Sequence, residues 1–139
     1  MITVDIANQQ DALPLDHCKL RRVVRATLRH ESISHATISL AFVDDKAMRA
    51  LNRRYLDHDW TTDVLSFLFE KDAAALEGEI VVSAETARNA AKALGRPAES
   101  ELLLYVVHGL LHLLGYADKR PGQRAAMQAR EIFYLERFG

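Results

Sequence analysis

Two histidines, His108 and His112, stand four residues apart in the segment HGLLHLLGYAD, within a run that is apolar on nearly every side. On a helix that spacing places both imidazoles on one face, with Cβ atoms about 6 Å apart. One nitrogen from each can then meet a single ion at about 2.0 Å. A pair of ordinary core histidines is the competing reading. Against it, burying two imidazoles in so apolar a helix is costly unless each ring nitrogen finds a partner, and an ion satisfies two of them at once. The chain also offers a third donor. Gly115 breaks the helix three residues after His112, and GYADK can fold back to bring Asp118 alongside, where a carboxylate oxygen binds zinc at about 2.0–2.2 Å.

Two histidines and one carboxylate leave a fourth position for water, the ligand count of a catalytic zinc site and not of a closed structural one. Such a site activates water or polarises a phosphoryl oxygen. In HExxH metalloproteases a glutamate follows the first histidine as general base. Gly109 occupies that place here, so peptide hydrolysis by that route is not expected. Gly109 either leaves a backbone-width gap for a substrate or serves helix packing.

The elements that must position these residues follow from periodicity. Residues 2–6 and 36–43 alternate as half-buried strands, and TTDVLSFLF and EIVVS read likewise, with KDAAALEG between them as a loop or turn. Five segments have helical spacing: residues 15–28, DKAMRALNRRY, AETARNAAKAL, SELLLYVVHGLLHLL and roughly residues 123–137. Asp44 or Asp45 can cap the second helix and Ser83 the third, which Gly95 and Pro97 stop. The first helix should bury Leu20, Val23, Val24 and Leu28, leaving Lys19, Arg21, Arg22, Arg25 and Arg29 solvent-facing or flanking. The last should pack Met127, Ile132 and Leu135 inward. The fourth is apolar all round and should lie in the middle of the domain. Strands dominate the first half and helices the second, which points to an α+β fold.

Composition narrows the function classes. With 139 residues, 49% hydrophobic and 27% charged, the chain suits one globular domain spanning residues 1–139. Apolar runs fall short of the ~20 residues of a membrane span, and the N-terminus lacks a signal-peptide profile, so no membrane partner and a cytoplasmic location are expected. The lone Cys18 reads as a packing residue. A net charge of −1 gives no global pull toward nucleic acid. Any such contact needs local clustering, as in KLRRVVRATLRH, a basic face that either tracks an RNA backbone or only keeps the protein soluble.

The residues HGLLHLLGYADKRPGQRAAMQARE resemble the YbeY endoribonuclease signature HGxLHLxGYDH with its following Met and Glu, here Met127 and Glu131. LNRRYLDHDWTTDVLSF is similar to that family's LNxxYR…TDVLSF segment, and EGEIVVS to its GDI-type strand. The resemblance covers roughly residues 36–136 in three ordered motifs. It implies a mixed four-stranded sheet covered by helices, one Zn²⁺-type ion per chain, and metal-dependent cleavage of single-stranded RNA during ribosomal RNA maturation. Partners would be ribosomal RNA and the small ribosomal subunit. In the family the TDVLSF segment borders the active-site channel, so Asp63 and Ser66 become candidates for orienting substrate or water. A plain strand-start role is the other reading of Asp63.

Two departures bear on the chemistry. Ala117 and Asp118 stand where the family reads Asp-His, so Asp118 falls on the third histidine ligand and adds a negative charge. Harder ions such as Mn²⁺ or Mg²⁺ gain from that change, and Ni²⁺ also suits imidazole. Leu56 stands where the family has an arginine associated with substrate phosphate. Arg53 and Arg54 could supply that contact instead, or be solvated helix-surface residues. The expected function is thus phosphodiester hydrolysis by water activated at His108, His112 and Asp118. The alternative, favoured by Leu56, is an rRNA- or ribosome-binding factor with a mainly structural metal. A metalloprotease-like hydrolase is a third reading.

Overall fold

The computed structural model describes residues 1–55 and 63–139, and the alternating and helical patterns resolve there into four strands and five helices. In chain order these are β1 (Ile2–Gln9), α1 (His17–His30), β2 (His35–Val43), α2 (Asp45–Tyr55), β3 (Val64–Lys71), β4 (Ala75–Ser83), α3 (Ala84–Leu94), α4 (Ala98–Leu113) and α5 (Pro121–Phe138). The sheet order is β1-β2-β4-β3. β1, β2 and β4 run parallel, while β3 returns antiparallel to β4. This is the mixed sheet of an α+β domain. Among the described residues no helix is long and apolar enough to cross a membrane.

KDAAALEG is not a loop throughout. The hairpin ladder carries β3 to Lys71 and restarts β4 at Ala75. The turn between them is closed by the Asp72 carboxylate, which accepts from the backbone N–H of Ala74 and Ala75 at 3.2 and 3.1 Å. Antiparallel pairing supplies partners to polar residues whose own pattern signals no strand.

One sheet face holds the main core. Ile2, Val4, Ile38, Leu40, Phe42, Ile80 and Val82 pack there against α1, α4 and α5, with Leu110 and Leu111 of α4 fully buried. The opposite face has a smaller cluster in which Val43, Leu65 and Val81 meet Met48 of α2. Of the aspartate pair, Asp44 caps α2 by accepting from Ala47 N–H at 2.8 Å. Asp45 instead accepts from the hydroxyls of Ser83 and Thr86 and joins α2 to α3. Ser83 caps α3, and Gly95 ends it in the left-handed region at φ +65°.

Two expectations need correction, and a third gains detail. Ile132 is exposed; the inward face of α5 is Met127, Glu131 and Tyr134. That face includes a carboxylate held by a hydrogen bond, which a search for apolar residues alone passes over. Cys18 is exposed and not packed, because it lies off the Leu20–Val24–Leu28 stripe. The α1 cations are also mostly engaged. Met1 O accepts from Ala36 N–H, so strand alternation turns the Ile2 and Val4 carbonyls to the outer edge of β1. Arg25 and Arg21 donate to those two carbonyls at 3.2 and 3.1 Å, Lys19 pairs with Glu99 at 2.5 Å, and Arg22 reaches Phe138 O at 3.3 Å.

Candidate metal centre

Helix α4 ends because Gly115 adopts φ +102°, a conformation that a side chain would strain. Two backbone bonds close the reversal: Tyr116 N–H to Leu111 O and Gly115 N–H to His112 O, both at 3.0 Å. Lys71 Nζ adds a third, donating to Leu114 O at 2.9 Å. The chain thereby returns along the histidine face and sets the Asp118 carboxylate beside both rings.

His108 Nε2 and His112 Nε2 lie 3.1 Å apart, and Asp118 Oδ2 lies 3.6 and 3.3 Å from them. A tetrahedral ion with bonds of about 2.05 Å needs ligand atoms about 3.3 Å apart, whereas octahedral bonds of about 2.1 Å bring neighbours to about 3.0 Å. The three observed separations bracket the tetrahedral value.

The far side of each ring decides the proton inventory. His108 Nδ1 is 3.0 Å from Glu131 Oε2, and His112 Nδ1 is 3.1 Å from Tyr116 O. A carboxylate and a carbonyl only accept, so each neutral ring keeps its proton on Nδ1. Both Nε2 lone pairs then converge with a carboxylate oxygen, and three acceptors share one point without a proton among them. Such a set fits a cation. Burial works against a charged His108, but the Glu131 hydrogen bond and the carboxylates of Glu131, Asp63 and Asp118 outweigh it and hold its pKa above the ordinary histidine value. The three side chains are about one-third exposed, whereas Glu131 is 9% exposed.

Other anticipated residues fall in different places. The negative charge of Asp63 reaches His108, while its Oδ1 accepts from Val64 N–H at 2.8 Å at the start of β3. Ser66 Oγ donates to Gly109 O at 2.9 Å. Gly109 serves packing: a Cβ there would lie 2.7 Å from Ile80 Cγ2 and 3.0 Å from both Ser66 Oγ and Val64 Cγ2. Side-chain atoms of β3 and β4 therefore fill the gap suggested for a substrate. Arg54 lies over the Tyr55 ring, 5.3 Å from its centroid, and Tyr55 meets Phe67 edge-on. Arg53 is exposed near the end of α2. Leu56 lies outside the described residues.

Sequence reasoning missed the supports. In sequence Glu131 stands out only by its spacing, with no role attached. Behind the returning loop, Tyr116 OH donates to Glu31 Oε1 at 2.9 Å, and Tyr134 OH donates to Glu31 Oε2. Arg130 stands 3.7 Å from the same carboxylate. Burial and the Glu31 contacts push both phenols above their ordinary pKa. These partners are 85 to 103 residues apart in sequence, beyond any local signal.

The family model described as endoribonuclease YbeY matches residues 5–139. A relative of that name from Salinibacter ruber is 36% identical, with 95% of this chain and 89% of the relative covered. Another from Syntrophus aciditrophicus is also 36% identical, covering 96% and 89%. One from Rhodopirellula baltica is 38% identical over 87% of this chain, which spans 63% of that relative's length. Among solved structures, the solution structure of a Thermotoga maritima protein matches with a TM-score of 0.65 and 26% identity, covering 98% of this chain and 87% of the other.

Proposed function

Because the chain belongs to the YbeY family of endoribonucleases, we propose that it is a metal-dependent endoribonuclease that cleaves single-stranded RNA in ribosomal RNA maturation. The observation that carries the metal dependence is the convergence of two Nε2 lone pairs and Asp118 Oδ2 while both Nδ1 protons are engaged elsewhere. Tetrahedral spacing and the two imidazoles favour Zn²⁺ as the ion. When bound, it supplies Lewis acidity, lowering the pKa of water and offsetting charge that develops on phosphoryl oxygen.

The chain's own residues do the rest. Glu131 fixes the His108 tautomer and makes that ring a stronger donor, and Tyr116 O does the same for His112. Asp118 contributes a full negative charge, which compensates a dication better than a third neutral ring would. In this reading Asp63, whose charge favours protonation of His108, orients water or accepts its proton. Ser66 acts on substrate indirectly, by holding α4 against β3 through Gly109 O. Arg53 and Arg54, exposed at the end of α2, are the phosphate contacts of this reading.

The test is cleavage of a single-stranded ribosomal RNA fragment, with and without chelator, beside a His108→Ala control. Cleavage abolished by chelator, restored by Zn²⁺ and absent in the control is the expected result. Chelator-insensitive cleavage, or equal cleavage by the control, refutes the reading.

A further inference from the structure

We propose that the RNA strand reaches the metal centre across a cationic rim formed by Lys119, Arg120 and Arg124, and not along the basic helix α1. The proposal rests on the endoribonuclease reading and adds the surface by which that site takes its substrate.

The rim begins one residue after the ligand Asp118. From Lys119 to Arg130 the chain carries four cations and no acid, although the whole protein has a net charge of −1. Arg130 is spent on Glu31. Lys119, Arg120 and Arg124 are exposed. Arg124 is tied to the centre, since its Nε donates to Asp118 O at 3.3 Å. A guanidinium has five donors in a planar fork, so one bond to a carbonyl leaves others to meet phosphate oxygen. The N-terminus of α5 follows directly at Pro121, and its dipole adds positive potential on the same side.

Helix α1 has more basic residues in sequence but offers fewer to a ligand. Arg21 and Arg25 hold the outer edge of β1, Lys19 pairs with Glu99, and Arg22 reaches Phe138 O. Those bonds anchor the α1 cations to β1, Glu99 and the C-terminal residues, whereas the Arg124 bond runs to Asp118 of the metal centre. A strand of nucleic acid carries a regular line of phosphates, so cations spaced along a loop and first helical turn suit its backbone and ignore base identity.

The experiment measures binding of a fluorescent 2′-O-methyl oligouridine to the metal-loaded protein by anisotropy over a series of salt concentrations, with its integrity checked on a gel. Each single-strand phosphate contact contributes about 0.7 to the slope of log K against log salt. Lys119→Gln/Arg120→Gln/Arg124→Gln should lower that slope by about 2 and weaken binding at least tenfold, a loss of about 0.7 per contact. Lys119→Gln/Arg120→Gln, which keeps the Arg124 bond, should lower it by about 1.4. Metal content should stay unchanged in both, and Arg22→Gln/Arg29→Gln should leave the slope as in wild type. Wild-type binding with an unchanged slope in the triple variant overturns the rim alone. No RNA binding by the wild type overturns the endoribonuclease reading and the rim together.

Discussion

Replacing Glu131 with alanine removes the carboxylate that receives the His108 Nδ1 proton at 3.0 Å, without touching a ligand atom. A hydrogen bond to a charged partner contributes about 1.5–3 kcal/mol. With Glu131 only 9% exposed, solvent does little to screen it, so the upper half of that range applies. At about 1.4 kcal/mol per decade this predicts roughly 40- to 140-fold weaker Zn²⁺ binding, at the upper end of losses when outer partners of zinc ligands are removed. Glu131→Gln keeps a neutral bond of ~1 kcal/mol and drops the charge, so about 1.2–2 kcal/mol is lost and roughly 8- to 30-fold weaker binding is expected. Competition against a chromophoric chelator at pH 8, where ring protonation competes little, measures both. Alanine binding within twofold of wild type would refute the assignment. The metal-free protein gives a second readout. Glu131 raises the His108 pKa, so the pair stabilises the fold fully below about pH 6.5, and that contribution fades as pH rises through the folded value. The wild-type advantage over Glu131→Ala in thermal melting should therefore shrink from acid toward alkaline pH.

Gly109→Ala forces a methyl group to 2.7 Å from Ile80 Cγ2. Overpacking of about 1–3 kcal/mol, less about 1 kcal/mol of helix propensity, leaves a net loss of about 0–2 kcal/mol and should lower Tm by up to roughly 6 °C, and a higher Tm would show that the seam has room. Asp118→Ala should weaken Zn²⁺ binding at least ~100-fold, since dividing a zinc-site free energy of about 10–16 kcal/mol among four ligands leaves about 3 for each. Asp118→His should retain the ion, and metal content of the alanine variant equal to wild type would exclude Asp118 as a ligand. Tyr116→Phe releases the loop from Glu31 while sparing the Tyr116 carbonyl. It should weaken Zn²⁺ binding by a smaller, roughly tenfold factor, and an unchanged Kd by the same chelator competition would confine Glu31 to fold stability.

The elements were readable because strand alternation, capping residues and the Gly115 stop are local signals. The four strands, the five helices and the buried character of α4 all follow from them. So did the HxxxH geometry and the return of Asp118. What stayed hidden depends on partners distant in sequence. Glu131 interrupts the apolar stripe of α5 and shifted the inferred face onto Ile132, because its burial makes sense only with His108 opposite. The α1 arginines looked like a solvent-facing stripe because nothing in residues 17–30 announces that β1 lies at a sheet edge. The bond from Ser66, a candidate for orienting substrate or water, to Gly109 O was equally hidden, because it needs α4 packed against β3.

The arginine contacts on β1 also affect behaviour in solution. An outer strand with free carbonyls is a template on which a second chain can add its own strand, the route to domain swapping and fibrous aggregates. With Ile2 O and Val4 O occupied by guanidinium groups, that template is blocked at one end of the sheet. At the other end, the irregularity between Leu68 and Glu70 breaks the regular register of β3, where Leu68 and Phe69 are exposed. Arg21 and Arg25 thus act as guards against polymerisation, and their loss would show first as insoluble protein, with the chemistry of the metal centre intact in whatever remained monomeric.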